Sequence, residues 1–163
     1  LMLVAMVGCG AENDTAADVA KIEGVWDEYT ATVNEGDIED WLALWADDGM
    51  RVTPSDFGPR QHGKEEIRAI MEPIFAAFSF DISIDSEDIV ILGEQAYSYG
   101  TFILLSTPKD GGDAMTINDN FMTIFEKQED GSWKSKIDIM NYFPSWSKDT
   151  IPEELLQEND PYY

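Results

Sequence analysis

Residues 26–57 read WDEYTATVNEGDIEDWLALWADDGMRVTPSDF and predict two helices followed by a strand. The first helix begins upstream of this stretch, because apolar side chains recur there at the spacing of one helical face. They are Ile22, Val25, Trp26, Tyr29 and Val33. Asn34 and Gly36 predict the end of this helix.

Asp37 is placed to cap a second helix, since its carboxylate can accept hydrogen bonds from the first free backbone N–H groups. The apolar stripe of this helix is Ile38, Trp41, Leu42 and Trp45. The run 47–49 then predicts a stop, and 50–53 alternates as a strand that must end at Pro54.

A third helix is predicted to open with residues 63–67, with Pro73 expected to kink it near Ala69. Its apolar face is Ile67, Ile70, Met71, Ile74, Phe75 and Phe78. From residue 80 the period of the apolar residues changes to two, which predicts an antiparallel meander. The four expected strands are 80–92, 96–107, 114–127 and 132–143.

The order of these features resembles the nuclear-transport-factor-2-like superfamily, also called SnoaL-like. The resemblance lies in the aromatic helix, the Asn34-x-Gly36-Asp37 turn, the Trp-rich helix, the 46–48 Ala-Asp-Asp run and the Gly131-Ser-Trp133 segment. It covers roughly residues 20–143. It implies an α+β fold in which a cone-shaped, curved antiparallel sheet packs against three N-terminal helices. Members share this architecture and little chemistry, so the resemblance implies a fold rather than a reaction.

Composition limits the range of functions. The chain has 163 residues, 44% of them apolar, which suits one domain with a full core. Its 10 basic and 33 acidic residues give a formal charge of -23, which disfavours nucleic acid and anionic lipid head groups as partners. Neither a phosphate-binding loop nor a nucleophile elbow is present in the sequence, and we expect no cofactor.

Metal binding is not expected either, because the single histidine, His62, has no cysteine or second histidine near it. We expect His62 to be a solvated loop residue.

The chain begins with an apolar run, 1–8, that ends at Cys9, its only cysteine. The sequence Met6-Val7-Gly8-Cys9 resembles a bacterial lipobox, which predicts a lipidated Cys9 and an exported, membrane-anchored protein. A buried strand with a core cysteine is the alternative. The lipobox interpretation divides the chain into a signal remnant at 1–9, a tether at 10–18, the folded domain at 19–144 and a tail with a short helix at 145–163.

Several predicted strands are apolar on both faces, which indicates that something covers the outside of the sheet. A second subunit is expected there, and the C-terminal segment is the alternative cover. The residues expected on this outer face are Phe102, Leu104, Met122, Ile124 and Met140.

The predicted polar lining of the cone combines residues from the first helix and four strands. It consists of Tyr29, Arg51, Thr53, Tyr99 (or Tyr97), Asp119 and Asn141. Arg51 and Asp119 are expected either to bind a polar ligand group or to form a structural ion pair. On the last strand, Ile137 and Ile139 share the parity of Asn141.

Ketosteroid isomerases are relatives whose site residues can be compared with this chain. The resemblance places their oxyanion-hole tyrosine on Tyr29. Their catalytic carboxylate falls on Thr53, which cannot act as a base. Their second acid falls near Thr123, and the nearest carboxylate of the same parity is Asp119.

Two functions remain. The first, which we favour, is a lipid-anchored domain that binds a small, largely apolar molecule or serves as an accessory module. The second is an isomerase-, cyclase- or hydratase-like enzyme that uses Asp119 as its base and Tyr29 as the donor to an oxyanion.

Overall fold

The computed structural model describes residues 10–54 and 59–141, with side chains from residue 15 onward. Within these ranges it contains three helices and six strands. They are α1 (Gly10–Glu35), α2 (Ile38–Ala43), β1 (Trp45–Val52), β2 (Gln61–His62), α3 (Gly63–Ala77), β3 (Phe78–Leu92), β4 (Gln95–Pro108), β5 (Met115–Lys127) and β6 (Trp133–Asn141).

The six strands form one sheet in the order β2-β1-β6-β5-β4-β3. Strands β3 to β6 are the predicted antiparallel meander, and β1 joins it by pairing in parallel with β6. The three helices pack against one face of this curved sheet. The predicted α+β cone is therefore confirmed.

Helix α1 extends further toward the N-terminus than the sequence predicted. It begins at Gly10, so the segment 10–18 is helical where we expected a tether. Asp18 explains why this part belongs to the fold: its carboxylate is buried and accepts hydrogen bonds from Lys127 Nζ at 2.6 Å and Trp133 Nε1 at 3.2 Å. Lys127 ends β5 and Trp133 begins β6, so these hydrogen bonds connect the start of α1 to both strands.

The predicted cap of α2 is confirmed, because Asp37 Oδ1 accepts from the N–H groups of Glu39 and Asp40 at 3.0 Å. The predicted end of α2 is wrong. The helix ends at Ala43, and β1 begins at Trp45, before the Asp-Asp-Gly run. Parallel pairing with β6 overrides the local stop signal, since the Ser135 N–H donates to the Leu44 carbonyl at 2.9 Å.

Helix α3 is confirmed as an element, but it ends at Ala77, and Phe78, predicted on its apolar face, begins β3. His62 precedes it and is exposed, and its backbone N–H donates to Glu66 Oε2 at 2.8 Å, which closes the first turn. Ile67 and Phe75 are buried on the side facing the sheet, while Pro73 lies within the helix. No helix in the described ranges is long and apolar enough to cross a membrane.

The two faces of the sheet are assigned by the register of β4 against β5. Phe102 pairs with Asp119, and both are buried beneath the helices. The prediction that Phe102, Leu104 and Met140 face outward is therefore wrong. Both parities of β4 are apolar, so hydropathy alone did not distinguish its inner from its outer side.

The outer face of the sheet is nevertheless apolar, as predicted. Met122 and Ile124 lie on it, opposite Tyr99 and Tyr97 respectively on β4. Its exposed apolar side chains include Tyr99, Ile103, Leu105 and Met122, at 37–49% exposure.

Candidate functional site

A cavity of about 320 Å³ lies between the helices and the concave face of the sheet. This volume is at the lower end of the range of small-molecule sites, roughly 300–1,000 Å³. Its walls are almost entirely apolar. They are built by Val33, Trp41, Pro54, Ile70, Met71, Ile74, Phe75, Phe78, Phe80, Ile82, Phe102, Leu104, Met115, Ile117 and Met140.

Five polar side chains complete the lining. They are Tyr29, Arg51, Thr53, Ser106 and Asp119. Four of these were predicted from the sequence, and the structure brings them to one cavity. Ser106 was not predicted, although its alternation with Phe102 and Leu104 on β4 places it on the same side.

Two predicted lining residues lie elsewhere. Tyr99 is 40% exposed on the outer face and stacks on Tyr97, with ring centroids 6.5 Å apart. Asn141 is exposed, while its neighbour Met140 lines the cavity. The orientation predicted for Tyr99 and Asn141 is wrong because β4 is apolar on both faces and β6 carries a register shift.

Tyr29 is carried into the cavity by the apolar stripe of α1. Its ring packs edge-on against Trp26 and Trp41, at centroid distances of 5.7 and 5.8 Å. Burial raises the pKa of the Tyr29 phenol, the negative charge of Asp138 raises it further, and the Arg51 guanidinium opposes the shift. Tyr29 therefore stays protonated and can donate a hydrogen bond to a ligand.

Arg51 lines the cavity from β1. Its Nη1 donates to Gln61 Oε1 at 3.4 Å, and its Nη2 lies 3.9 Å from Met140 Sδ. Among the described residues, the ion pairs within 4 Å do not include Arg51, so the ion-pair alternative for Arg51 and Asp119 is not observed. The carboxylate in register with Arg51 is Asp138.

Asp138 is the carboxylate that the sequence reasoning missed. It is 4% exposed, and its Oδ1 accepts a hydrogen bond from Thr123 Oγ1 at 2.7 Å. Burial raises the pKa of Asp138, and the bond from Thr123 and the charge of Arg51 reduce that rise. Asp138 lies behind the cavity wall rather than on it.

The register of β5 against β6 explains why Asp138 was missed. Thr123 pairs with Asp138 and Ile124 with Ile137, but the pairing shifts by one residue before Phe125 meets Ser135. The inward residues of β6 are thus Asp138 and Met140, where we expected Ile137, Ile139 and Asn141. Hydrophobicity alone predicts that Ile137 and Ile139 face inward. Only the pairing of the inward-facing Thr123 with Asp138 could have indicated that Asp138 faces inward instead.

Asp119 lines the cavity from β5. It is 5% exposed, and its Oδ1 accepts from the N–H of Asn120 at 2.9 Å. Because β5 advances about 3.4 Å per residue, Asp119 lies roughly 13 Å along the strand from Thr123, which shares a row with Asp138 and Arg51.

The part of the chain that the structure describes contains no group of three or more histidine, cysteine or acidic side chains arranged to hold a metal ion. Cys9, the predicted lipidation site, and the tail at 145–163 lie outside the described residues.

Solved structures share this architecture. A conserved protein from Planctomyces limnophilus is 25% identical, with a TM-score of 0.71 over 78% of this chain and 99% of that chain. A ketosteroid isomerase-like protein from Erwinia carotovora atroseptica is 22% identical, with a TM-score of 0.69 over 77% of this chain and 96% of that one. A nuclear transport factor 2-like superfamily protein from Salmonella enterica is 12% identical, with a TM-score of 0.70 over 82% and 96%.

The chain thus has the fold of that nuclear transport factor 2-like superfamily protein. The SnoaL-like domain matches residues 26–136, so the chain belongs to the SnoaL-like family. No curated protein matches the chain.

Proposed function

We propose that the cone of this SnoaL-like domain binds a small, largely apolar molecule. The observation that supports the proposal is the cavity itself, about 320 Å³ in volume, with apolar walls and a few polar side chains directed into it. Such a combination is the usual form of a small-molecule site, because apolar walls supply affinity and sparse polar groups fix orientation.

The location of the polar groups supports binding more than proton transfer. Thr53 stands where the resemblance to ketosteroid isomerases requires a carboxylate. Asp138 lies behind the wall, where a ligand in the cavity would not touch it. Asp119 is then the single carboxylate on the described lining, and it lies far along the strand from Tyr29's charged neighbours Arg51 and Asp138.

Filling the cavity tests the proposal. We expect Ile70→Trp on α3 to weaken binding of the neutral dye N-phenyl-1-naphthylamine by about tenfold or more, because the indole occupies the space that the dye needs. Fluorescence titration measures the effect. The matched control is Ala69→Trp, which adds the same ring on the exposed side of the same helix turn and should leave the affinity unchanged.

A second filling variant, Ile117→Phe, acts from the opposite wall on β5 and keeps the test valid where Ile70→Trp fails to fold. Failure of the parent protein to bind the dye, or equal binding by the parent and both filled variants, would remove the basis for the proposal.

An acid–base enzyme is the second candidate, and the presence of both Tyr29 and Asp119 on the cavity lining favours it. A phenol that stays protonated can stabilise a developing oxyanion, with Asp119 as the base on the lining. We expect no isomerisation of a 5-ene-3-ketosteroid by the parent protein in an absorbance assay. Activity that Asp119→Asn abolishes would decide for the enzyme.

We also propose that a second copy of the chain covers the outer face of the sheet. The support is the exposed apolar surface around Tyr99, Ile103 and Met122, which is unusual for a monomer. Light scattering at micromolar concentration should give twice the mass of the chain, and Ile103→Asp should reduce it to one chain.

Anchoring through Cys9 and export remain proposals supported by the sequence Met6-Val7-Gly8-Cys9. Intact-mass measurement of the protein recovered from a bacterial membrane should find lipid on Cys9. Recovery of a soluble, unmodified product would count against the anchor.

A further inference from the structure

The polar groups of the cavity differ in character along its length. At one end, called the donor end below, lie Tyr29, Arg51 and Thr53, whose side chains carry hydrogen-bond donors. Asp119 and Ser106 lie further along the sheet, on β5 and β4, and Ser106 pairs with Met115, four residues from Asp119. Among the described residues of the lining, Arg51 is the one permanent cation that a ligand in the cavity meets.

We propose that the ligand of this cavity is a carboxylic acid with an apolar body, and that Arg51 and Thr53 hold its carboxylate. This inference rests on the proposed binding function and names the class of its ligand.

Unused hydrogen-bonding capacity at the donor end supports the proposal. The Arg51 Nε atom and the Thr53 Oγ1 atom are both buried, and neither has a hydrogen-bond partner among the described residues. Arg51 lies on β1 and Thr53 follows its end two positions later, and both side chains line the cavity. A buried donor without a partner destabilises the empty site, and a carboxylate oxygen on each donor would remove that cost.

The charge at this end also favours a carboxylate. The Arg51 guanidinium donates a long hydrogen bond to the neutral side chain of Gln61 and a weak one to the sulfur of Met140. A ketone or an ester could accept the same hydrogen bonds, but it would bring no negative charge to the guanidinium, whose nearest described carboxylate, Asp138, is behind the cavity wall. A carboxylate ligand supplies that negative charge, and arginine binds carboxylates through paired, charge-assisted hydrogen bonds.

Two acidic side chains oppose an anionic ligand, and their positions limit the opposition. Asp119 lies roughly 13 Å along β5 from the row that contains Arg51. Asp138 is closer to Arg51, but it lies behind the cavity wall and is not part of the lining. Burial raises the pKa of Asp138, which lowers its negative charge at a given pH.

Gln61 holds the donor end in place. It is 1% exposed on β2, its Oε1 accepts from Arg51, and its Nε2 donates to the Pro59 carbonyl. Gln61 thus holds the guanidinium without contributing a charge of its own.

Displacement of the bound dye by three ligands of equal chain length tests the inference. Decanoate, methyl decanoate and decan-1-ol are titrated below their micelle concentrations into the parent protein with N-phenyl-1-naphthylamine. We expect decanoate to displace the dye at a concentration about tenfold lower than the ester or the alcohol, as one charge-assisted contact provides.

Substitutions at Arg51 and Thr53 test whether these two residues cause the preference for decanoate over its ester. Arg51→Gln should reduce the advantage of decanoate over its ester to less than about threefold, and Thr53→Val should weaken decanoate several-fold. Arg68→Gln is the matched control, because Arg68 is a surface arginine on α3 that pairs with Glu39, and the preference should persist there.

The outcomes separate the inference from the function on which it rests. Dye binding with equal displacement by acid and ester overturns the inference alone, as does a preference for the acid that survives in Arg51→Gln. Absence of dye binding overturns the proposed function and the inference with it. If Arg51→Gln fails to fold, the ratio of acid to ester in the parent protein decides.

Discussion

Replacement of Gly100 by alanine is expected to lower the free energy of unfolding by about 3 kcal/mol. A Cβ atom on Gly100 would overlap the backbone oxygen of Asp85 and lie 3.0 Å from its carbonyl carbon. Backbone atoms cannot rotate away as a flexible side chain can. The β3–β4 pairing, which shifts between Ser86 and Asp88 beside this point, would have to open.

Gly24→Ala is the matched control for Gly100→Ala. Gly24 lies within α1, where a Cβ atom meets nothing within 4 Å, so alanine should stabilise the protein by roughly 0.5–1 kcal/mol through helix propensity. Urea denaturation of both variants should give shifts of opposite sign. A Gly100→Ala protein as stable as the parent would show that β3 and β4 do not approach each other this closely.

Removal of the Asp18 carboxylate has the second large expected effect. Asp18→Ala should lower the free energy of unfolding by about 2 kcal/mol, because it leaves the buried Trp133 Nε1 and the partly buried Lys127 without their acceptor. The control is Asp48→Ala. Asp48 pairs with Lys136 at the same 2.6 Å, but its carboxylate is 77% exposed, and we expect little change in stability.

The contribution of Asp18 should depend on pH in a defined direction. Hydrogen bonding from Lys127 holds the pKa of Asp18 below its usual value of 3.8, an effect that burial partly offsets. A depressed pKa in the folded state stabilises the fold above the unfolded pKa, about 3.9, and that stability is lost as the pH falls through the folded pKa. The difference between the parent and Asp18→Ala should thus be full at pH 7 and shrink in acid. A difference that grows in acid would contradict this assignment.

Most of the architecture could be predicted because it is encoded in local periodicity. The stripe from Ile22 to Val33 and the Asp37 cap placed α1 and α2, and alternation after residue 80 placed β3 to β6 within two or three residues. The end of α2 could not be predicted, because it depends on the parallel pairing of β1 with β6, a contact between residues far apart in sequence.

The site was predicted less completely for a related reason. Tyr29, Arg51, Thr53 and Asp119 were placed correctly, since each follows from the parity of a strand with one polar face or from the stripe of α1. Tyr99, Asn141 and Asp138 were not, because β4 is apolar on both sides and a register shift in β6 reverses the side that its residues face. Such shifts are set by pairing between strands and leave no mark in a hydropathy pattern.

Nuclear magnetic resonance of the parent protein during titration with N-phenyl-1-naphthylamine tests the central claim, that the cone is a ligand-binding cavity, most directly. The side-chain methyl groups of Ile70, Met71 and Ile117 line the cavity, and those of Ile103 and Met122 lie on the outer face. We predict that the dye shifts the first set saturably and leaves the second set unchanged. Saturable shifts confined to Ile103 and Met122, with none at Ile70, Met71 and Ile117, would contradict the account.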